Sequence, residues 1–122
     1  MSHIVTIAVE VRDLAAIQSA CQRLQLEEPV FGKAQLFEKE LEGILVKLPE
    51  WIFPVVCDLP TGKIHYDNFG GNWGEQKHLD KFVQTYSVEK ATIEARRKGY
   101  RVSEQPISDG SIKLTINTEA AA

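Results

Sequence analysis

Alternating apolar and polar residues at the start of the chain predict a β-strand that leads into a helix. The strand is expected over His3–Val11, where β-branched residues recur at every second position. Asp13 then stands where its carboxylate can accept hydrogen bonds from the first amides of a helix. This helix carries one apolar stripe at spacings of three and four, formed by Leu14, Ile17, Cys21 and Leu24. We expect it to end near Leu26, because Pro29 restricts the residue before it to an extended conformation.

The middle of the chain, residues 31–69, carries β-type patterns that prolines interrupt. Four strands are predicted there, over Ala34–Glu40, Leu45–Leu48, Trp51–Cys57 and Lys63–Phe69. The first is rich in charge and suits an edge strand or a solvated hairpin. Pro49 and Pro54 cannot donate a hydrogen bond to a sheet, so we expect an edge, a bulge or a loop beside them. Pro60 and Gly62 predict a turn before the last of these strands.

A glycine-rich aromatic loop precedes the longest helical pattern in the chain. The loop consists of Phe69, Gly70, Gly71, Asn72, Trp73, Gly74 and Glu75. Its glycines leave the backbone free, so we expect burial of Trp73 and Phe69 to hold it in place. Two apolar stripes follow, the first over Leu79, Phe82, Val83 and Tyr86 and the second over Val88, Ala91, Thr92 and Ala95. Because the second stripe is rotated from the first, we expect a kink or short break near Tyr86, with Ser87 capping the second piece. Gly99 is a suitable end for the helix.

The pattern after the helix predicts a hairpin that turns at Gly110, in one of two registers. A two-residue loop would place Val102 on the face opposite to Ile116. A three-residue loop with Gly110 in the left-handed conformation pairs Val102 with Ile116 and Glu104 with Leu114. The second register gathers the apolar side chains on one face, so we predict the three-residue loop.

Composition and charge narrow the class of protein. The chain has 122 residues, enough for a single domain, and a formal net charge of −3, which gives no reason to expect nucleic acid or an anionic membrane as a partner. No apolar run approaches the ~18 residues of a membrane span. The first residues lack the basic flank and apolar segment of a secretory signal. We therefore expect a cytoplasmic protein in which Cys21 and Cys57 are reduced core thiols, with a disulfide as the alternative.

The candidate chemistry is sparse. Glycines before a helix can bind phosphate, but neither a Walker lysine nor a G-x-G-x-x-G pattern is present, and a structural turn is the favoured interpretation. Asp67 and Glu75 flank the loop and could act as acid and base, although solvated surface charge is the default for such residues. His3, His65 and His78 are not spaced as zinc ligands. We predict no catalytic residues, no metal and no cofactor.

Several short segments, in their order along the chain, resemble one family. They are Met1-Ser2-His3, Tyr66-Asp67, Trp73-Gly74, Phe82–Tyr86, Ala95-Arg96, Gly99-Tyr100 and Asp109-Gly110-Ser111-Ile112. Together they resemble the hypothetical chloroplast reading frame 35 family of algal plastids and cyanobacteria, also called domain of unknown function 1257. The resemblance covers nearly the whole chain, best in its first dozen residues and from Lys63 onward, and poorly over residues 27–60. It carries no established catalytic residues to transfer. It implies an adaptor role beside an AAA-type ATPase, and the plastid stroma as the compartment if the protein is plastid-encoded.

The patterns together predict one α+β domain over residues 1–122, with a frayed tail at 119–122. We expect a two-layer sandwich, with a mainly antiparallel sheet of five to seven strands and two main helices packed on one face. Two functions stay open: a non-enzymatic protein-interaction or adaptor module, and a small-molecule or nucleotide-binding protein that uses the loop at 69–75. In either case the binding residues are expected to be Asp67, Phe69, Asn72, Trp73 and Glu75. A protein partner is expected and a homo-oligomer is left open.

Overall fold

The computed structural model describes the backbone of residues 5–7, and residues 10–36 and 39–118 in full. In this part of the chain, two helices lie among seven strands. The helices are α1 (Leu14–Arg23) and α2 (Gln76–Arg97). The strands are β1 (Val5–Ile7), β2 (Val30–Gln35), β3 (Glu40–Val46), β4 (Val55–Asp58), β5 (Lys63–Tyr66), β6 (Arg101–Pro106) and β7 (Ile112–Asn117). A short 3-10 turn over Phe69–Gly71 precedes α2.

Five of the strands form one antiparallel sheet in the order β1–β5–β4–β3–β2. The register places Ile44 opposite Cys57 and Cys57 opposite Ile64, and all three side chains are buried in one core with the helices. Residues that face each other across antiparallel strands point to the same side of the sheet, so this row marks the side that the helices cover. Val56 points to the other side and is also fully buried. The central strand β4 therefore has buried side chains on both faces.

Helix α1 begins where the sequence predicts. Oδ1 of Asp13 accepts hydrogen bonds from the amides of Ala15 at 2.9 Å and Ala16 at 3.3 Å, which satisfies two donors of the first turn. The start of α1 is also tied to α2. The hydroxyl oxygen of Tyr86 accepts hydrogen bonds from the amides of Arg12 at 3.2 Å and Asp13 at 3.1 Å. One buried tyrosine thus fixes the relative position of the two helices.

Helix α2 runs without interruption, so of the two predicted alternatives, a kink or a short break near Tyr86, the break is wrong. Oγ of Ser87 donates a hydrogen bond to the carbonyl oxygen of Val83 at 2.9 Å, as a serine inside a helix commonly does, and caps nothing. The two apolar stripes instead face different neighbours. Tyr86 belongs to the core shared with the sheet, while Val88, about 200° further around the helix, is buried outside that core. Neither α2 nor the shorter α1 combines the length and the apolar character that a membrane-crossing helix needs.

The last two strands form a separate two-stranded sheet, β6–β7. Its predicted register is confirmed, because Val102 pairs with Ile116 and Glu104 with Leu114, and Gly110 has a φ of 90°. The predicted α+β class with two helices is confirmed as well. The predicted mainly antiparallel sheet of five to seven strands is matched only in part, since the seven described strands divide between a five-stranded sheet and a separate two-stranded sheet.

This terminal hairpin packs on the helices rather than extending the sheet. A salt bridge of 2.6 Å joins Arg23, at the end of α1, to Glu104 in β6. Nε2 of Gln84 in α2 donates a hydrogen bond to the carbonyl oxygen of Gly110 at 3.0 Å. Gln84 and Val88 lie on the side of α2 that faces away from the sheet, so the hairpin explains why that side is apolar.

The boundaries of the other predicted strands shift. The strand predicted over Ala34–Glu40 is wrong, because Ala34 and Gln35 end β2 and Glu40 begins β3; residues 37–38 of that prediction lie outside the described residues. Only the second half of the predicted strand Trp51–Cys57 lies in β4, since Pro54 interrupts the pairing as expected. The strand predicted over Lys63–Phe69 ends at Tyr66. Parts of His3–Val11 and the tail at 119–122 lie outside the described residues.

Both cysteines are free and buried, as predicted. Burial raises the pKa of the Cys21 thiol to about 11 and that of the Cys57 thiol to about 12, because the thiolate is poorly solvated in an apolar core. The two groups are therefore unreactive components of the core rather than nucleophiles.

Candidate functional site

The glycine-rich loop starts from two buried polar residues directly after β5. Asp67 and Asn68 are both buried. Nδ2 of Asn68 donates a hydrogen bond of 3.1 Å to the carbonyl oxygen of Gly74, and its own carbonyl oxygen accepts hydrogen bonds from the amides of Gly71 at 3.0 Å and Trp73 at 2.9 Å. One asparagine therefore links the beginning of the loop to its end.

Several amides of the loop donate hydrogen bonds within the loop. Besides Gly71 and Trp73, the amide of Asn72 donates to the carbonyl oxygen of Phe69 at 3.1 Å. A phosphate cradle needs such amides to point at the anion, and these three point inward. The geometry therefore speaks against the phosphate-binding interpretation of the glycines.

Aromatic rings pack in a chain across the loop. The rings of Phe69 and Trp73 stack with centroids 4.8 Å apart, and Trp73 meets Phe53 edge to face at 5.6 Å. Trp51 meets Tyr66 edge to face at 5.7 Å. Phe69 holds a φ of 48°, a conformation that is strained for a bulky residue and needs such packing to persist. Burial of Phe69 and Trp73 was expected to hold the loop; the two rings are stacked on each other but only half-buried.

The segment Trp51–Phe53 is the part of the site that sequence reasoning placed in a strand. The amide of Ile52 donates to the carbonyl oxygen of Trp73 at 2.9 Å, and Nε1 of Trp51 donates to the carbonyl oxygen of Glu75 at 3.0 Å. The sequence did contain a signal for a loop here. Pro49 and Pro54 stand on both sides of two aromatic residues and an isoleucine, and prolines on both sides favour a loop over a strand.

This pairing of two loops leaves an apolar surface, here called the aromatic patch and defined as Trp51, Ile52, Phe53, Phe69 and Trp73. Ile52 is 63% exposed, and the four aromatic side chains are half-buried. Beside Ile52 and Phe53 runs an open groove of about 510 Å³. Its walls are formed by Gln25, Leu26, Glu27, Lys47, Leu48, Pro49, Trp51, Ile52, Phe53 and Pro54.

The five predicted binding residues differ in position and exposure. Phe69 and Trp73 lie together in the aromatic patch. Asn72 is exposed at the tip of the loop, and Glu75 is exposed and forms an ion pair of 3.4 Å with Lys77. Asp67 is only 1% exposed, so its default interpretation as solvated surface charge is wrong.

Asp67 contributes one side-chain hydrogen bond to the turn at the start of the loop. Its Oδ1 accepts a hydrogen bond from the amide of Phe69 at 3.2 Å. Its Oδ2 is buried without a hydrogen-bond partner among the described residues. Such a group lowers the stability of the fold, and the hydrogen bond that Oδ1 makes in the turn offsets part of this cost. Within residues 10–36 and 39–118, no group of three His, Cys, Asp or Glu side chains is arranged to hold a metal ion.

Comparison with known proteins adds no relative to this picture. No family model, no curated protein and no solved structure matches the chain.

Proposed function

We propose that the protein is a non-enzymatic protein-interaction module that binds a partner protein through the aromatic patch. The observation that carries this proposal is Ile52, which is 63% exposed on a segment held by backbone hydrogen bonds. Large apolar side chains that stay exposed on a fixed backbone are typical of binding surfaces. A fixed segment also loses little conformational entropy when it binds, so more of the contact energy appears as affinity.

The groove beside Ile52 indicates what the partner presents. Leu26 and Leu48 give it an apolar floor, while Glu27 and Lys47, which form an ion pair of 3.3 Å, stand at its rim. An apolar centre with a charged rim is the usual anatomy of a protein–protein contact. The partner is therefore a protein segment that inserts an apolar anchor between polar flanks. The resemblance noted above makes an AAA-type ATPase the first partner to test.

The alternative function, binding of a small molecule or nucleotide by the loop at 69–75, has less support. The amides of Gly71, Asn72 and Trp73 are already used within the loop. A ligand pocket also needs polar groups that converge on one point, whereas the described ring contacts of Trp73 are with the apolar rings of Phe53 and Phe69. A titration of tryptophan fluorescence with nucleotides would reveal such binding, and we expect no response.

The proposal is tested by comparing two variants that each add one charge to an exposed isoleucine. Ile52→Asp alters the aromatic patch, and Ile107→Asp, at a residue 44% exposed in the terminal hairpin, is the matched control. Each protein is used to capture partners from native lysate, and captured proteins are identified by mass spectrometry. We expect at least one partner that binds the unmodified protein and Ile107→Asp but not Ile52→Asp. Equal capture by all three proteins would refute the role of the aromatic patch.

A further inference from the structure

Strand β2 is an edge strand of the described sheet. Among the described strands only β3 pairs with it, and its first two residues, Val30 and Phe31, are 57% and 69% exposed. An unpaired edge offers backbone donors and acceptors to another strand. Most edges are blunted by short length, proline or several charges, whereas the six residues of β2 contain one charge, Lys33.

The backbone groups on the open side of β2 can be identified from its pairing with β3. The amide of Leu36 donates to the carbonyl oxygen of Lys39 at 2.8 Å, which makes this a hydrogen-bonded pair. Hydrogen-bonded and non-hydrogen-bonded pairs alternate along an antiparallel ladder. The register continues this ladder through Val30 opposite Leu45. Phe31, Lys33 and Gln35 therefore direct their amide and carbonyl groups away from β3, toward the open side.

These groups restrict how a second copy of β2 could pair with the first. In a two-fold symmetric antiparallel pair, outward-facing residues must lie opposite each other. Two registers then pair five of the six residues. One centres on Lys33 and sets it directly opposite its own copy, where like charges repel. The other centres on Gly32 and sets Phe31 opposite Lys33.

We propose that the protein forms a two-fold symmetric homodimer in which the β2 strands of two copies pair antiparallel, with Gly32 on the symmetry axis. The five-stranded sheets then join into one continuous sheet. This inference is independent of the proposed function, because it uses β2 rather than the aromatic patch.

The side chains on both faces of the joined sheet suit this register. On the face away from the helices, Val30 of one copy lies opposite Ala34 of the other, flanked by Leu45 and Leu41 of their own chains. The row is apolar throughout and covers the exposed part of Val30. On the axis, Gly32 and its neighbour Gly43 have no side chains that would hold the two copies apart.

On the helix face the register balances the charge of Lys33. Lys33 keeps Glu42 of its own chain directly opposite, and the ring of the other copy's Phe31 lies on its other side. A lysine beside an aromatic ring is favourable, by about 0.5–1 kcal/mol at exposed sites. Lys33 therefore selects the Gly32-centred register and opposes the Lys33-centred one, which is how a charge contributes to specificity. Strand β2 supplies both Phe31 and Lys33, so two copies of it complement each other. This favours a second copy of the chain over an unrelated strand as the partner.

The dimer should be weak. Two six-residue strands bury less than the ~1,200 Å² of a stable interface, so dissociation is expected at micromolar concentrations. Sedimentation of the unmodified protein from micromolar to millimolar concentration should show a monomer–dimer equilibrium. No larger species is expected, since a two-fold contact is closed. A monomer at every concentration, or growth beyond a dimer, would overturn the proposal.

A cysteine on the axis tests the register. A Cβ added at Gly32 would lie 3.6 Å from Cδ1 of Leu45, an ordinary contact, so Gly32→Cys should fold. Non-hydrogen-bonded partners have Cα atoms about 4.5 Å apart, within the range that a disulfide spans. In the same register the two copies of Lys33 are diagonal neighbours, with Cα atoms more than ~7 Å apart, too far for a disulfide.

Under mild oxidation we expect Gly32→Cys to form a disulfide-linked dimer much faster than Lys33→Cys or Ser111→Cys, an exposed control in the hairpin turn. Cys21 and Cys57 are buried and should not interfere. Circular dichroism establishes that each variant is folded. Linking of Gly32→Cys at the rate of Ser111→Cys would overturn the proposal, and so would faster linking of Lys33→Cys, because that result indicates the Lys33-centred register.

Discussion

The contact between Gly74 and Trp51 gives the sharpest test of how the candidate site is held. A Cβ at Gly74 would lie 2.4 Å from Cδ2 of Trp51, whereas ordinary contacts begin near 3.4 Å. Gly74→Ala must therefore displace the indole by about 1 Å. The backbone of Gly74 has an ordinary φ, so any cost arises from this overlap and not from the conformation that glycine permits.

The expected cost follows from what holds the indole. Overpacking of a well-filled site costs about 1–3 kcal/mol. A shift of about 1 Å also breaks the 3.0 Å hydrogen bond from Nε1 of Trp51 to the carbonyl oxygen of Glu75, which contributes about 1 kcal/mol. Trp51 is half-buried and can relax partly toward solvent. We therefore expect Gly74→Ala to lower the free energy of unfolding by about 2–3 kcal/mol.

Urea unfolding followed by circular dichroism measures this cost, and a double-mutant cycle assigns it. In a Trp51→Ala background the overlap is absent, so Gly74→Ala should cost about 2 kcal/mol less than in the unmodified protein. Gly32→Ala is the matched control, because its Cβ would make only an ordinary contact of 3.6 Å. We expect it to be neutral or slightly stabilising. The reasoning is refuted if the two alanine variants differ by less than ~0.5 kcal/mol, or if Trp51→Ala leaves the cost of Gly74→Ala unchanged.

Three further predictions concern the helices, the hairpin and the core. Tyr86→Phe leaves two amides at the start of α1 without their acceptor and should lower the free energy of unfolding by about 1–3 kcal/mol; an unchanged urea midpoint would contradict this. The Arg23 guanidinium lowers the pKa of Glu104 from its ordinary 4.5, so the stability that Glu104 contributes is fully present above pH 4.5 and is lost as pH falls through the lowered pKa. The stability difference between the protein and Glu104→Gln should accordingly vanish in acid, and a difference independent of pH would refute the pairing. Burial raises the pKa of Cys21 to about 11 and of Cys57 to about 12, so thiol reagents at pH 8 should label neither until urea unfolds the protein; rapid labelling in native buffer would contradict the burial.

Local signals predict the local features of the fold well. Asp13 caps α1 because a carboxylate before a helix finds free amides whatever the rest of the chain does. The hairpin register follows from Gly110 in the left-handed conformation together with one apolar face, which pairs Val102 with Ile116. Both features depend on residues a few positions apart, and both were predictable from the sequence.

Features that depend on distant neighbours were not predictable in the same way. The segment Trp51–Phe53 has the composition of a strand, but its partner is the loop at 69–75, and the hydrogen bond from Ile52 to Trp73 leaves no local trace in the sequence. The exposure of Phe31 is another example. An edge strand with only one charge has the same pattern of apolar and polar residues as a strand inside the sheet, so the sequence does not distinguish the two. Sequence reasoning proposed Phe69 and Trp73 as binding residues, and it missed Phe53, against which Trp73 packs.

The second stripe of α2 shows how a correct observation can be interpreted wrongly. The rotation of Val88 relative to Tyr86 is real, and a bend is one explanation for it. The structure gives another: α2 lies between the sheet and the hairpin, so it needs apolar residues on both sides. A helix that is apolar on two sides predicts a second layer as readily as a kink, and the hairpin has too few strands to be stable without such a layer.

The two proposed surfaces have a joint consequence. A dimer joined through β2 carries two aromatic patches in fixed relation, so a partner with repeated docking segments binds both and gains avidity without any new contact. Lys33→Glu should weaken the dimer, because it removes the cation that lies beside Phe31 of the other copy in each half of the contact. Its affinity for a single docking segment should match that of the unmodified protein, while its affinity for a partner that offers two or more segments should fall by about 10-fold or more. A fall in affinity for the single segment would show instead that the β2 edge belongs to the same binding surface as Ile52.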